Sequence, residues 1–520
     1  MPRDILSQIV ERRASDIARL GVSLGVEIPA ERKRALHPFV QEKGVILEVK
    51  RASPSKGDIA PNLDAAQTAL AYQKAGAAAT SVLTESNWFK GSLEDLKKVA
   101  AAVDIAVLRK DFLIYPDEID VAYKCGADAV LLIARILEKE VFAKMLERTA
   151  AFGMTAFVEL RLADDLQKLV EAKKLAGANV PTIVCGVNAR DLKDFSIDLL
   201  SPSGFLEEIK AAMGQGCNVV FESGIRSAQA ASFAGSLGFA GLLLGEAAAR
   251  DTSAAASFVK AFVSGTETPN ALAWKKIAAK IANCRKAKKP LVKICGLTNK
   301  EDAMAAADFG ADLLGFVFCE ASPRNASESV VREVRAALRN RPAIEASRKS
   351  APFLVGIIID TTSQQAKTAL SLARQGILDF VQLHGERAAQ EFFADKENLS
   401  LAHYCATNLD DDSGANVGGG ENCAGGLDKI QGLLNLGEPR VLLDAKVGDK
   451  VGGTGTQVAE DLVFEAKKKS PLWLAGGLSA DNVRDVIEKY SPELIDASSL
   501  LEAAPGKKDL EKLKKFFGEL

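Results

Sequence analysis

The chain has 520 residues and a mass of 55.2 kDa, with 48% hydrophobic and 26% charged residues. That is more apolar surface than one ordinary core buries, so two or more domains are expected. With 66 basic and 68 acidic side chains the formal charge is −2, which disfavours a global attraction to nucleic acid or an anionic membrane. His37, His384 and His403 are the three histidines, too far apart for a local metal-ligand motif, and eight cysteines without CxxC pairs are too sparse for a disulfide framework. A reducing cytoplasm fits that cysteine usage, and no apolar run approaches the roughly 18 to 20 residues of a membrane span.

In chain order, Arg3, Asp4, Glu11, Arg12, Arg13, Asp16 and Arg19 alternate with apolar positions at helical spacing. This reads as an amphipathic helix, because a secretory signal has an uninterrupted apolar centre. Short β-branched and Leu-rich runs then recur, each followed by a longer Ala-, Lys- and Glu-rich helical stretch, the signature of strand–helix units around a parallel sheet. The predicted strands are Val45–Lys50, Ala79–Glu85, Ala106–Phe112, Ala129–Ala134, Thr155–Leu160, Ile183–Asn188, Val219–Gly224 and Gly241–Gly245. A second series comprises Leu291–Gly296, Leu313–Cys319, Phe353–Ile359, Phe380–His384, Leu401–Ala406, Val441–Lys446, Leu472–Gly477 and Leu494–Ser499. Eight units in about 250 residues match a closed β/α barrel better than an open doubly wound sheet. The expected fold class is therefore α/β, two tandem (β/α)8 barrels.

Thr266–Pro290, with Asn270, Trp274 and a basic run from Lys275 to Lys289, reads as a helical linker with a solvated face. The expected domains are residues 1–262 with an N-terminal helical extension, a linker at 263–289, and 290–520. Two segments interrupt the pattern. The polar stretch Arg339–Pro352 precedes a strand, at the bottom of its barrel. Asn408–Asp428, rich in Asp and Gly, reads as a disordered insertion on the catalytic face, with a lid as the alternative.

Functional groups of such barrels sit at the carboxyl ends of strands. In the first half these are Glu48 and Lys50, two residues apart and so on one face of the strand, then Lys110, Glu159, Asn188 with Arg190, and Glu222 with Ser223. Any one of them alone reads as a solvated rim charge. Two lysines, an arginine and three glutamates in one partly dry cup would shift each other's pKa values, which points to acid–base work by Lys and Glu in place of histidine. Gly224 after the seventh strand, Gly245 after the eighth and Ser53-Pro54-Ser55-Lys56-Gly57 after the first offer backbone amides and hydroxyls to a phosphate.

The segments Ile46–Gly57, Leu108–Phe112, Gly186–Leu192 and Glu222–Ile225 closely resemble indole-3-glycerol-phosphate synthase, from the N-terminus to about residue 262. Ser81–Glu85 and Trp88-Phe89-Lys90-Gly91-Ser92 resemble that family's second strand and following loop, which adds Phe89 to the substrate-binding set. The resemblance implies ring closure and decarboxylation of 1-(2-carboxyphenylamino)-1-deoxyribulose 5-phosphate. It implies Lys110 as general acid, Glu159 as general base and Lys50 with Glu48 as a further proton-handling pair. Arg190 and Lys50 would hold the departing carboxylate, Asn188 and Glu222 would position hydroxyls and amine, and Ser53, Ser223, Gly224 and Gly245 would bind substrate around its phosphate.

In the second half Cys295 ends the first strand and Asp444 the sixth. Singly, a strand cysteine reads as a small hydrophobe and a strand-end Asp as a helix cap. On a shared face they supply a base and an acid. Ala475-Gly476-Gly477-Leu478 and Asp496-Ala497-Ser498-Ser499 repeat the phosphate positions of the first half. With Val292–Thr298, Ser322-Pro323-Arg324, Gln382-Leu383-His384-Gly385 and Gly452-Gly453-Thr454-Gly455, they resemble phosphoribosylanthranilate isomerase over about residues 290 to 520.

That resemblance implies an Amadori rearrangement of N-(5-phosphoribosyl)anthranilate. Asp444 would protonate the furanose oxygen, and Cys295, as a thiolate with a depressed pKa, would take a proton from the adjacent carbon. Arg324 would pair with the anthranilate carboxylate, Gly476, Gly477, Ser498 and Ser499 would hold phosphate, and His384 would be a neighbour of the substrate. Leu500 and Leu501 depart from the small residue that many relatives carry after the serines. The product of the second barrel is the substrate of the first, so the expected protein is a bifunctional, monomeric fusion acting on phosphorylated anthranilate sugars, without metal or organic cofactor. A sugar isomerase of histidine biosynthesis, or one barrel serving as an inactive scaffold, is the alternative reading.

Overall fold

The computed structural model describes residues 5–190, 196–340, 351–408, 426–444 and 456–520. Asp191 and Leu192, the Gly452–Gly455 segment, and most of the 339–352 and 408–428 stretches lie outside the described residues. The chain divides into two compact units, Met1–Glu267 and Thr268–Leu520, and each contains one closed barrel of eight parallel strands with helices between them.

The strands of the first barrel are Gly44–Val49, Ala79–Leu83, Ala106–Lys110, Ala129–Ile133, Thr155–Leu160, Ile183–Asn188, Val219–Glu222 and Gly241–Leu244. Each pairs with the next, and the first closes on the eighth in the register Val45↔Leu242 and Leu47↔Leu244. Alternate residues fill the interior, among them Ile46, Leu108, Leu131, Phe157, Val184, Val220 and Leu243. The intervening residues face the helices, which is why these strands read as continuous apolar runs.

The second barrel uses Leu291–Ile294, Leu313–Val317, Phe353–Ile358, Phe380–His384, His403–Asn408, Val441–Asp444, Trp473–Ala475 and Leu494–Ala497, closing through Leu291↔Leu494 and Ile294↔Ala497. Most strands end one or two residues earlier than expected, and three differences matter here. The first strand stops at Ile294, so Cys295 follows it, although the Cys295 amide still donates to the Ala497 carbonyl at 2.9 Å. The fifth strand starts at His403, whose ring bridges the Leu401 carbonyl and the Glu438 carboxylate at 2.7 and 2.9 Å. The stretch read as a loop to Asp428 is shorter, because Asn408 still pairs in its strand and a helix begins at Gly426.

The N-terminal helix, Ile5–Leu20, buries Leu6, Ile9, Arg13 and Ile17, a stripe at helical spacing. Arg13 is anchored to Glu118 at 2.5 Å and Asp111 at 3.1 Å, and Arg109 donates to the Glu118 carbonyl at 2.9 Å. Removing one partner from such a buried ionic set costs about 3–5 kcal/mol. The helix Pro269–Lys286, capped by the Thr268 side chain, belongs to the second unit. It packs Trp274 against Phe380 and Trp473 at ring separations of 5.4 and 5.9 Å. Both partners start their strands, so this helix covers the amino-terminal end of the second barrel, and Trp274→Ala would cost about 3–5 kcal/mol.

Candidate active sites

In the first barrel, strand alternation turns Lys110 inward while Arg109 and Asp111 on either side of it join the buried network beneath the N-terminal helix. A cavity of about 480 Å³ opens at the carboxyl ends of the strands. It is lined by Glu48, Lys50, Ser53, Phe89, Lys110, Glu159, Asn188, Arg190, Ser223, Gly224 and Gly245, with Ile5, Leu6 and Ile9 of the N-terminal helix. The catalytic and binding residues expected in this half line that cavity except Glu222, and of the Ser53–Gly57 turn Ser53, Pro54 and Ser55 line it while Lys56 and Gly57 do not. Glu222 is 1% exposed and lies behind Lys110, whose Nζ donates to it at 2.8 Å.

Charge is concentrated here. Lys50 Nζ stands 3.3 Å from Glu48 Oε1, Lys110 Nζ stands 3.7 Å from Glu48 Oε2, and Asn188 Nδ2 donates to Glu159 at 3.4 Å. Burial opposes the Lys110 ammonium, but Glu222, Glu48 and Glu159 together push its pKa well above the ordinary lysine range. Burial would raise the Glu48 carboxyl, yet Lys50 and Lys110 hold it below the usual range. Glu222 is pushed up to about 7 by burial, against Lys110 and with added repulsion from Glu159 and Glu48. Two carboxylates in one cup thus differ in proton affinity, as acid–base chemistry requires. Desolvation lowers the pKa of Arg190, with Glu246 opposing.

Backbone geometry fits the anion-binding role. Ser223 and Gly224 both have positive φ, +71° and +85°, in the turn after the seventh strand. A Cβ on Gly224 would lie 2.7 Å from both Ile197 and Leu199, and one on Gly245 would lie 2.4 Å from Glu48 Oε1. The loop carrying Phe89 is held by a residue outside the predicted site, Glu85. Its carboxylate accepts from the amides of Asn87, Trp88 and Phe89 at 2.7, 2.8 and 3.0 Å. Phe89 then offers its ring to Lys50 Nζ at 5.4 Å.

In the second barrel, Asp444, Ala475 and Asp496 share one row across the sixth, seventh and eighth strands, and Lys293 continues it on the first. Cys295, two residues after Lys293, is partly buried. Burial pushes the Cys295 thiol above its ordinary range, with Lys293 opposing, the reverse of the depressed pKa expected from the sequence. Arg324 is engaged by a residue the sequence reading did not single out, Glu502, through Nε at 2.9 Å and Nη2 at 2.8 Å. Lys508 Nζ donates to the same carboxylate and to the Ser498 carbonyl, each at 3.0 Å.

Gly476 and Gly477 have φ of +105° and +62°, and Ser498 Oγ donates to the Cys295 carbonyl at 3.0 Å. Ser499 is exposed beside them, Leu501 is buried, and Leu500 is 47% exposed. His384 ends its strand half-buried. Lys293, Gln382, Tyr404 and Asp496 form a buried polar cluster below Cys295. The same two-residue spacing that marked Glu48 and Lys50 relates Lys293 to Cys295, and could have flagged that lysine.

Both units therefore belong to the class of β/α barrels with acid–base side chains at strand ends and glycine turns after the seventh strand. Residues 7–262 match the family model of indole-3-glycerol phosphate synthase, and residues 292–403 and 432–519 match that of N-(5′-phosphoribosyl)anthranilate isomerase. The chain belongs to these two families, joined in tandem. Two relatives are named multifunctional tryptophan biosynthesis protein. That of Schizosaccharomyces pombe is 32% identical over 501 residues, covering 91% of this chain and 58% of the relative. That of Phycomyces blakesleeanus is 30% identical over 567 residues, covering 98% and 68%. The indole-3-glycerol phosphate synthase of Mycolicibacterium smegmatis is 41% identical over 253 residues, covering 46% of this chain and 88% of that enzyme. The chain thus spans little more than half the length of the fission-yeast relative.

Proposed function

We propose that this chain catalyses two consecutive steps of tryptophan biosynthesis. The second barrel isomerises N-(5-phosphoribosyl)anthranilate to 1-(2-carboxyphenylamino)-1-deoxyribulose 5-phosphate, and the first closes and decarboxylates that product to indole-3-glycerol phosphate. The observation that carries the reading is the cavity in which Lys110, Glu159, Lys50 and Glu48 converge with Arg190 and the Ser223–Gly224 turn, inside the segment matching the synthase family.

In the synthase, Lys110 protonates the substrate carbonyl oxygen as the aromatic carbon attacks, and carbon dioxide then leaves. Lys50 and Arg190 hold the carboxylate that departs, and Glu159 takes the proton of the ring methylene carbon and hands it to the departing hydroxyl, which leaves as water. Asn188 positions the hydroxyls and amine, Glu222 acts through Lys110, which it holds, and Ser53, Ser223, Gly224 and Gly245 receive the phosphate through hydroxyl and amide donors, with Phe89 against the ring. In the isomerase, Asp444 protonates the furanose oxygen, opening the ring to an iminium. Cys295 takes the proton from the adjacent carbon, giving an enolamine that tautomerises to the ketone. Arg324 pairs with the anthranilate carboxylate, His384 borders it, and Gly476, Gly477, Ser498 and Ser499 hold the phosphate.

We assign the synthase to residues 1–262 and the isomerase to 290–520, with the connecting segment 263–289 contributing the helix Pro269–Lys286 to the second unit. Cys125, Cys185, Cys217, Cys295, Cys319 and Cys405 form no disulfide among the described residues, and no helix among them is long and apolar enough to cross a membrane. The sparse cysteine usage supports a reading of the chain as a cytoplasmic protein, and we take the fusion to be monomeric. The test supplies phosphoribosylanthranilate to the purified chain and follows its consumption and the appearance of indole-3-glycerol phosphate. Asp444→Asn is expected to block the first step, and Glu159→Gln or Lys110→Ala the second. Full rates in all three variants would overturn the assignment.

A further inference from the structure

Below Cys295 the second barrel buries an ion pair whose place the acid–base scheme leaves unexplained. Lys293 is 0% exposed, and its Nζ donates to Asp496 at 2.5 Å and to Gln382 at 2.6 Å. Tyr404 donates to the same Gln382 oxygen at 3.0 Å, and the lysine lies 6.0 Å from the centroid of the Tyr404 ring. The strand registers Lys293↔Asp496 and Gln382↔Tyr404 set these partners side by side. A buried pair of this kind is poor evidence for stability, since an apolar pair of similar volume often serves as well. Its retention directly under a thiol calls for another reason.

Strand periodicity supplies one. Lys293 and Cys295, two apart, turn toward the same side of the barrel wall, and both flank Gly315 on the neighbouring strand. A Cβ on Gly315 would meet Cys295 Sγ at 2.8 Å and Lys293 Cε at 3.1 Å, so the thiol and the end of the lysine stem are near neighbours. Asp496 holds the ammonium yet leaves its own Oδ1 buried without a hydrogen bond among the described residues. Among the described residues, the other charged or titratable groups that act on Cys295 are Lys508 beside the Ser498 turn, Arg324 after the second strand, and Tyr404 on the fifth. Lys508 and Arg324 are both committed to Glu502, which leaves Lys293, on the strand that leads into Cys295, as the cation nearest it in the chain.

We propose that Lys293, held by Asp496 and Gln382, is a positioning residue that stabilises the Cys295 thiolate, with Asp496 acting in the opposite sense to limit that stabilisation. The thiol loses its proton to solvent, and the thiolate so formed is the base that accepts the substrate's carbon-bound proton. This deepens the isomerase reading and rests on it. The electrostatics run the same way, since Lys293 is the largest influence opposing the rise that burial imposes on the thiol, and Asp496 adds to that rise.

The test is independent of substrate. The full chain is alkylated with iodoacetamide across pH, and the Cys295 peptide alone is followed by mass spectrometry. An opposite charge at this range moves a pKa by roughly 1–3 units. Lys293→Met is expected to move the Cys295 midpoint up by about one unit or more and to slow its alkylation at pH 8 about tenfold, with Lys293→Arg closer to the parent. Asp496→Asn is expected to move the midpoint down. Midpoints unmoved in both variants, or moved in the same direction, would overturn the proposal. Should Lys293→Met fail to fold, Asp496→Asn decides alone: a lower midpoint supports the proposal and an equal or higher one ends it. A parent protein without isomerase activity would instead refute the isomerase reading, whatever the thiol titration shows.

Discussion

Lys110 and Glu222, on the third and seventh strands of the first barrel, are joined across its interior by a hydrogen bond of 2.8 Å. Both side chains point inward, and Glu48 approaches the same ammonium from the first strand at 3.7 Å. Removing the lysine leaves three carboxylates, Glu48, Glu159 and Glu222, without the cation they share. Lys110→Ala should therefore lower synthase kcat by about 10²–10⁴-fold, the range for loss of a positioned acid. Isomerase turnover in the same preparation should be unchanged. A matching loss of both activities, or a collapse of the thermal transition, would show that the effect is structural.

The second prediction concerns pH. Because burial pushes Glu222 up to about 7, synthase kcat/KM should rise through neutral pH as this carboxyl ionises and completes its pair with Lys110. Glu222→Gln should abolish that limb. The stability sign follows from linkage. Between about 4.5 and 7 the folded state keeps a proton that the unfolded chain has released. This group's contribution to stability therefore falls as pH rises through that window and is level above it. Urea midpoints at pH 5 and pH 8 should differ less in Glu222→Gln than in the parent.

The turns after the last two strands of the first barrel make separable predictions. Gly245 sits against Glu48, and an added Cβ would lie 2.4 Å from Glu48 Oε1 and 3.5 Å from Lys50 Cδ. Gly245→Ala should displace that carboxylate, lowering kcat and raising KM for the synthase with little change in stability, because flexible side-chain ends can yield. Gly224 has φ +85° and would press on Ile197 and Leu199 at 2.7 Å. Gly224→Ala should cost about 1–3 kcal/mol of stability as well as substrate affinity. Steady-state kinetics and thermal unfolding of the two variants check the split.

Much of this was legible in the chain itself. Strands buried on both faces are short continuous apolar runs, so segments such as Ala129–Ile133 and Thr155–Leu160 announce themselves. Strand-end charges such as Lys110 and Glu159 stand out because they break those runs. What stayed hidden depends on pairing between distant segments. Nothing in the pattern links Arg13 to Asp111 and Glu118, about a hundred positions away, until the N-terminal helix docks. Glu502 and Lys508 lie on a hairpin beyond the last barrel strand, where no pattern announces a neighbour of Arg324. The fifth strand of the second barrel begins on His403, a polar residue made compatible with burial by Glu438, a partner 35 positions away.

Arg324 gives the last prediction. Glu502 takes its Nε and Nη2, while Nη1 carries no hydrogen bond among the described residues. A substrate carboxylate can therefore be received by Nη1 without breaking the fork, and Glu502 then serves to orient the guanidinium. A hydrogen bond to a charged group contributes about 1.5–3 kcal/mol, so Arg324→Ala should raise isomerase KM by about 10- to 100-fold with a smaller change in kcat. The fold should survive, because Lys508 Nζ remains 3.0 Å from Glu502 and no carboxylate is left buried alone. Glu502→Gln should raise KM less than Arg324→Ala, since the fork is weakened and the guanidinium charge persists. A larger effect from Glu502→Gln than from Arg324→Ala would reverse the order of roles and make Glu502, with Lys508, the group that shapes the site.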